Sequence, residues 1–259
     1  SSWSATLGGF KNPDRFGIIT FNGPKQGGRA LWNCDFDSST FALASGESRL
    51  IGMDGWYENA SYANRGWDKS WKVVERDNNR VAVCDVNATN RSDIVPMHVV
   101  QVFPGIVSVE ADYRRLAMGG NAPTIFVIDA SGKYFAYIYT QPDNNDIVTI
   151  GQSDSRERKH FGHNEHGLSG LCHPGKWFGL KAIIDTEQKS VTGYVRSEDG
   201  PWVQLNDTPL PYYSLDAEGT QLFIGFGSRK HKKVENNIVE MDNIQVMQLS
   251  HETEKSQSR

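Results

Sequence analysis

The chain has 259 residues, 38 % of them hydrophobic and 22 % charged, and a formal net charge of −4. This composition is typical of a globular protein, and the negative charge argues against a general nucleic-acid-binding protein. The longest apolar runs are too short to span a membrane, and three cysteines allow at most one intrachain bridge, which excludes a disulfide scaffold.

The first 70 residues predict two strands, around "FGIITFN" and "ALWNCDF", set among long loops. These loops include "NGPKQGG", "SSTFALASGESR" and "MDGWYENASYANRGW". Loops of this length on a β scaffold usually build a site or cover a sheet edge.

From residue 72 onward, short strand-like segments follow one another closely, from "WKVVERD" and "RVAVCDV" to "QLFIGFG" and "NIVEMDNIQVMQL". Turn sequences such as "QPDNND", "DTEQK" and "SEDGP" separate them. No stretch longer than about ten residues has a helical period. This pattern predicts an all-β sandwich, jelly roll or barrel. We expect a single domain over residues 1–250, followed by a polar tail at 251–259.

The segment "SGKYFAYIYTQ" (131–141) predicts a strand with an unusual face. Lys133, Phe135, Tyr137, Tyr139 and Gln141 alternate on one side of it. Aromatic rings suit the C–H faces of sugars, and the lysine and glutamine add charge and hydrogen bonds. The face therefore fits a glycan-binding groove. Alternation does not decide which face lies inside, so a core position for the aromatic residues stays open.

Three later stretches resemble the concanavalin A-like (laminin G-like) jelly-roll superfamily. They are "PTIFVIDASGKYFAYIY", "GKWFGLKAIIDTEQKSVTGYV" and "VEMDNIQV". The resemblance covers roughly 60 % of the chain. It implies an all-β jelly roll, a two-sheet antiparallel sandwich with a concave groove, and a glycan ligand across that groove.

Two basic islands, "SRERKH" (155–160) and "SRKHKK" (228–233), stand out in this acidic chain. Arg158, His160, Arg229 and Lys230 are candidates for binding carboxylate or sulfate groups of a substrate. Solvated loops are the alternative for both islands. A zinc site is a further alternative for the histidines that surround the first island.

The superfamily includes carbohydrate-binding modules, glycoside hydrolases and polysaccharide lyases, so the resemblance implies a ligand class rather than a reaction. The alginate-lyase signatures R-x-E-L-R, Q-[IV]-H and Y-F-K-A-G-x-Y are not intact here. Basic loops together with tyrosines favour a polysaccharide lyase that cleaves an anionic, uronic-acid-containing polysaccharide by β-elimination. A non-catalytic carbohydrate-binding module is the alternative, and a glycoside hydrolase is the third candidate.

β-Elimination predicts particular roles for the candidate residues. A base must reach the C5 proton, and a positive group must neutralise the neighbouring carboxylate. Tyr139 is the first candidate for the base or acid, with Tyr137 beside it. His163 is its partner, and Lys133, Arg114 or one of the basic loops supplies the neutralising cation. Gln141 is a further substrate-binding candidate.

The strand "IVSVEADYRR" (106–115) places four polar side chains on one face: Ser108, Glu110, Asp112 and Arg114. Arg114 is a candidate for binding a substrate carboxylate, with a salt-bridged surface row as the alternative. Glu110 and Asp112 have the alternating spacing of a hydrolase strand but lack a third carboxylate.

The remaining predictions concern a bound metal ion, the binding partners and the cellular location. Asp242 and Asp35 are candidate ligands of a structural Ca²⁺, because oxygen-rich sites suit that ion. We expect no other cofactor and no nucleic-acid or membrane partner. The anionic polysaccharide is the expected partner of a monomer that is secreted, periplasmic or on the cell surface.

Overall fold

The computed structural model describes residues 28–37, 47–57, 70–76, 78–88, 93–129, 134–140, 148–154, 159–161, 170–211 and 221–249. Within these ranges the chain is almost entirely β-strand, with one 3-10 turn at Val86–Ala88 and no α-helix. None of the helical structure in this part of the chain has the length and apolar character needed to cross a membrane.

The described residues form seventeen strands. In chain order they are β1 Gly28–Cys34, β2 Glu47–Arg49, β3 Trp71–Arg76, β4 Asn79–Asp85, β5 Asp93–Ile94, β6 Met97–Gln101, β7 Ile106–Arg115, β8 Asn121–Asp129, β9 Tyr134–Thr140, β10 Val148–Asp154, β11 Lys159–Phe161, β12 Trp177–Asp185, β13 Ser190–Ser197, β14 Val203–Gln204, β15 Leu210–Pro211, β16 Gln221–Lys230 and β17 Ile238–Leu249.

The strands make two antiparallel sheets. Sheet A has the order β14-β13-β12-β7-β17-β4-β3-β2, with β1 also paired to β17 and β15 to β13. Sheet B has the order β11-β10-β9-β8-β16-β5, with β6 also paired to β16. The predicted all-β sandwich of two antiparallel sheets is therefore confirmed.

Alternation along the strands builds the core between the sheets. In β7, Val107, Val109, Ala111 and Tyr113 are almost fully buried. They pack in one cluster with inward-facing residues of sheet B, among them Ile125, Ile138, Ile224 and Phe226. Each such side chain contributes about 1.5–3 kcal/mol when it leaves water. The opposite residues of each strand therefore form the two outer faces of the sandwich.

The segment after β2 consists of turns and bends up to Tyr57, and one of its side chains reaches the core. Trp56, from "MDGWYENASYANRGW", is 1 % exposed and joins the main core together with Leu50 and Phe36. The predicted strand at "ALWNCDF" is present as β1, whereas "FGIITFN" lies outside the described residues. Cys34, Cys84 and Cys172 are buried free thiols.

Strand β17 contains a β-bulge, and the side chains that face the core change from odd-numbered to even-numbered residues there. Asp242 is opposite Asp112, but the next pair of the ladder is Gln245 with Glu110, so β17 has one extra residue here. Met241 and Ile244 both reach the core as a result. Asn243, between them, has a positive φ of 49°, a conformation that asparagine tolerates better than most residues.

Candidate functional site

Strands β7 and β17 together bring four carboxylates to the outer face of sheet A. Glu110 and Asp112 come from β7, and Glu240 and Asp242 come from β17. The register places Asp242 directly opposite Asp112 and Glu240 directly opposite Arg114. The acidic partners that the β7 sequence lacks are therefore supplied by the neighbouring strand.

Two cations reach the β7 carboxylates from the other side. Lys181 Nζ lies 3.0 Å from Glu110 Oε2, to which it is directly opposite in the sheet. Arg196, two strands away from β7, donates from Nη2 to Asp112 Oδ1 at 2.7 Å. The Trp202 ring lies beside both cations, 4.8 Å from the Arg196 guanidinium and 5.2 Å from Lys181 Nζ. These contacts give cation–π attraction in addition to the ion pairs.

Arg114 belongs to the same face and is also paired. Its Nε donates to Glu240 Oε2, and its guanidinium lies 5.0 Å from the Trp177 ring centroid. Glu240 is nearly fully buried and has a second, longer ion pair at 3.7 Å to Arg76 Nε. The β7 face is thus a salt-bridged row, the alternative that the sequence left open for Arg114.

Asn243 connects the two opposed aspartates. Its backbone N–H donates to Asp242 Oδ1 at 2.8 Å, and its Nδ2 donates to Asp112 Oδ2 at 3.1 Å. Asn79 Nδ2 donates to the other oxygen of Asp242 at 2.7 Å. The bulge adds Asn243 to this face next to Asp242, so a single local irregularity supplies the amide that joins the two aspartates.

Asp242 has an altered proton affinity. Its side chain is buried, and this burial raises its pKa from 3.8 to about 6. The nearby charges of Asp112 and Asp37 raise the pKa further, while the hydrogen bonds from Asn243 and Asn79 oppose the shift. Desolvation and like charges both disfavour an ionised carboxylate. Asp242 therefore retains a proton in a pH range where an ordinary aspartate has lost it.

A pocket of about 370 Å³ opens beside this pair. The residues that line it are Asn33, Cys34, Asp35, Glu110, Asp112, Arg196, Asn243, Ile244 and Gln245. Burial raises the pKa of the Cys34 thiol to about 12, so this sulfur is a neutral part of the wall and is not activated as a nucleophile. The acidic side chains that line the pocket are Asp35, Glu110 and Asp112.

The predicted tyrosines lie on the other side of the molecule. Ile138 is in the main core, so its neighbours Tyr137 and Tyr139 face away from the sandwich on sheet B. Tyr137 is 5 % exposed and its ring centroid is 5.5 Å from that of Tyr139. The structure does not bring Arg114, on the outer face of sheet A, next to them.

Several other residues that were predicted for the site either lie outside the described residues or are known only by their position in a strand. Lys133, Gln141, Arg158 and His163 lie outside the described residues. His160 is in β11 and Arg229 is in β16, and their strand positions alone are described. Lys230 is the last residue of β16 and lies opposite Asn121. Their predicted roles in substrate binding and catalysis stay predictions.

The predicted calcium ligands are partly brought together. Asp35 lines the pocket, and Asp242 belongs to the aspartate pair beside it. Both oxygens of Asp242 already accept N–H hydrogen bonds. Within the described ranges no group of three or more His, Cys, Asp or Glu side chains is arranged to hold a metal ion. Bound calcium stays a prediction.

Sequence patterns did not connect Asp112 with Asp242, and they did not indicate a role for Arg196 or Trp202. One signal for the first pair is present in "VEMDNIQV", where the apolar positions change from odd to even numbers at Asp242 and Asn243. Such a change of phase indicates a β-bulge, and bulges are frequent next to active sites.

Comparison with known proteins supports the fold. Neither a protein-family model nor a curated protein matches the chain. Among solved structures, the glycoside hydrolase family 43 protein BlXynB from Bacillus licheniformis has a TM-score of 0.50 and 16 % identity, over 83 % of this chain and 39 % of that one. At this identity the similarity shows a shared jelly-roll architecture and nothing about activity.

Two further solved structures have lower TM-scores. The catalytic domain of a glycoside hydrolase family 131 protein from Coprinopsis cinerea has a TM-score of 0.47 and 11 % identity, over 85 % of this chain and 94 % of that one. The alginate lyase from Klebsiella pneumoniae has a TM-score of 0.43 and 10 % identity, over 70 % and 84 % of the two chains.

Proposed function

We propose that this chain is a glycoside hydrolase that uses Asp242 and Asp112 as its two carboxyl groups. The observation that supports this most strongly is their placement directly opposite each other beside a pocket, in different environments. Asp242 is buried and has a pKa of about 6. Asp112 instead accepts hydrogen bonds from a guanidinium and an amide. Two carboxyl groups with different environments are what acid and nucleophile roles require.

Asp242 is the proposed general acid. In its protonated form it donates its proton to the glycosidic oxygen as the bond to the sugar breaks. Asp112 is the proposed nucleophile, whose ionised carboxylate attacks the anomeric carbon. Water then releases the sugar, with Asp242 taking up a proton from the water and so recovering its starting form. Arg196 and Asn243 hold the carboxylate of Asp112 in place throughout.

The register also favours one stereochemical outcome. Directly opposed residues of antiparallel strands have Cβ atoms about 4.5–5.5 Å apart. Retaining glycosidases have carboxyl groups about 5–5.5 Å apart, whereas inverting ones need about 6.5–9.5 Å. The Cβ spacing of a directly opposed pair is nearer to the retaining separation than to the inverting one, so retention is the outcome that we expect. Proton NMR of the first product formed from a defined oligosaccharide should show the anomeric configuration of the substrate, and the opposite anomer would contradict the nucleophile role of Asp112.

An uncharged glycan fits this face better than a uronate. Arg114, Lys181 and Arg196 are each paired with a carboxylate of the same face. β-Elimination needs a cation that neutralises the substrate carboxylate, and these three cations are already engaged by the protein. Asp35 adds negative charge at the pocket, which repels an anionic polymer. A polysaccharide substrate also implies action outside the cytoplasm, in the secreted, periplasmic or surface location expected from the sequence.

One assay separates hydrolysis from the other predicted activities. The protein is incubated with neutral polymers such as β-glucan and xylan, and with alginate, glucuronan and ulvan. We expect the wild-type protein to produce new reducing ends from a neutral polymer without an increase in ultraviolet absorbance. The Asp242→Asn variant should produce neither new reducing ends nor an increase in absorbance. Absorbance of a conjugated double bond with a uronan would support the predicted lyase instead. Binding in affinity electrophoresis without any product would support the predicted binding module.

A further inference from the structure

Arg196 reaches Asp112 across an intervening strand. Arg196 is in β13 and Asp112 is in β7, and β12 lies between them in sheet A. At this level of the sheet the residue of β12 is Gly179, which is opposite Asp112 on one side and opposite Arg196 on the other. The arginine can therefore cross the strand only where that strand has no side chain.

The space above Gly179 is filled by the arginine and by a tryptophan. A Cβ atom on Gly179 would lie 2.6 Å from Arg196 Nε and 2.7 Å from the Cη2 atom of Trp202. Contacts this short are not tolerated between non-bonded atoms, and strand glycines often mark such close approaches. Gly179 thus provides the volume that both side chains occupy.

The guanidinium of Arg196 relies on this packing. Its Nε is buried and has no hydrogen-bond partner in the described part of the chain. Nη2 of Arg196 donates a hydrogen bond to Asp112, and the guanidinium carbon lies 4.8 Å from the Trp202 ring centroid. A long, rotamer-rich side chain loses less freedom on pairing when packing has already ordered it.

We propose that Trp202 and Gly179 act as positioning residues that hold Arg196 on Asp112. The catalytic consequence rests on the proposed function, since Asp112 is the proposed nucleophile. The contact itself does not depend on that function. An alternative role for Trp202 is a stacking surface for a sugar ring, which would affect substrate binding rather than the orientation of Arg196.

The test compares Trp202→Ala and Trp202→Phe with Trp177→Ala. Trp177 is the matched control, because it stacks on Arg114, whose partner is Glu240 rather than Asp112. Guanidinium signals of Arg196 are followed by ¹H–¹⁵N NMR in the resting protein. We expect restricted rotation in the wild type, free rotation in Trp202→Ala, a largely restored signal in Trp202→Phe, and no change in Trp177→Ala.

Kinetics then separate positioning from sugar stacking. We expect Trp202→Ala to lower kcat about tenfold with KM within about twofold, as an interaction realised in the transition state requires, and Trp202→Phe to recover most of the loss. Unchanged Arg196 signals in Trp202→Ala, or a raised KM with unchanged kcat, would overturn the proposal. If the wild type has no hydrolase activity, the proposed function fails, while the NMR comparison still decides the role of Trp202. Thermal unfolding of each variant confirms that it is folded.

Discussion

The two outer faces of this sandwich are built by the same alternation but have opposite chemistry. The outer face of sheet A carries carboxylates in ion pairs and tryptophans stacked on cations. The outer face of sheet B carries an apolar cluster of Val95 and Met97, against which Tyr57, Phe126 and Phe223 pack. Aromatic residues together with Lys133, Gln141 and the basic islands favoured Tyr137 and Tyr139 as ligand-facing residues, and Tyr137 is almost fully buried on this face. The site roles of the two tyrosines stay a prediction beside the proposed role of the carboxylates.

We expect the largest effect on turnover from substitutions of the two aspartates on the outer face of sheet A. A matched substitution on the outer face of sheet B gives the comparison. Asp112→Asn and Asp242→Asn should each lower kcat about 10²–10⁴-fold, because each removes a group that takes part in proton transfer or bond formation. Tyr139→Phe is the matched change on sheet B, since it removes one ionisable group from a half-buried side chain. It should leave hydrolysis within about twofold. The opposite ranking would make sheet B the catalytic face.

The pH dependence of activity sharpens the assignment of Asp242. Its pKa is about 6, and the acid form is the active one. Activity should therefore be present below about pH 6 and fall about tenfold for each further pH unit above it. A pH profile of kcat/KM on a neutral glycan measures this loss of activity at higher pH. A loss of activity that begins only well above pH 8 would exclude Asp242 as the acid.

A pair of glycines offers a smaller but closely matched test. Gly179 makes room for Arg196 and Trp202 on sheet A, and Gly225 makes room for Val95 and Met97 on sheet B. Alanine at either position should lower the free energy of unfolding by about 1–3 kcal/mol, as overpacking does. Only Gly179→Ala should also lower kcat, by about tenfold.

Chemical denaturation and steady-state kinetics measure both quantities for the two glycine variants. If the two variants lost the same stability and also the same activity, Gly179 would have no more specific role than Gly225. Gly225→Ala thus serves as the control for general destabilisation, because its new methyl group would meet an apolar cluster far from the carboxylates.

The sequence predicted the architecture well and the site only in part. Period-two alternation in β7 correctly separated Val107 and Val109 from Glu110 and Asp112, because side-chain direction is a local property of a strand. The pairing of Asp112 with Asp242 joins strands 130 residues apart in the chain. Register at that distance depends on the whole sheet, so local patterns do not determine it.

The bulge in β17 also constrains how this chain can change in length. Removing Asn243 would restore a regular ladder in which Ile244 and Val246 still face the core and Gln245 still faces outward. The deletion would instead remove the amide that joins Asp112 to Asp242. A residue removed or added elsewhere in β17 would turn the apolar side chains that follow it to the outer face, although the surface turns between other strands tolerate such changes. In relatives that keep the aspartate pair, the spacing from Met241 to Ile244 should be invariant even where the identities of the residues drift.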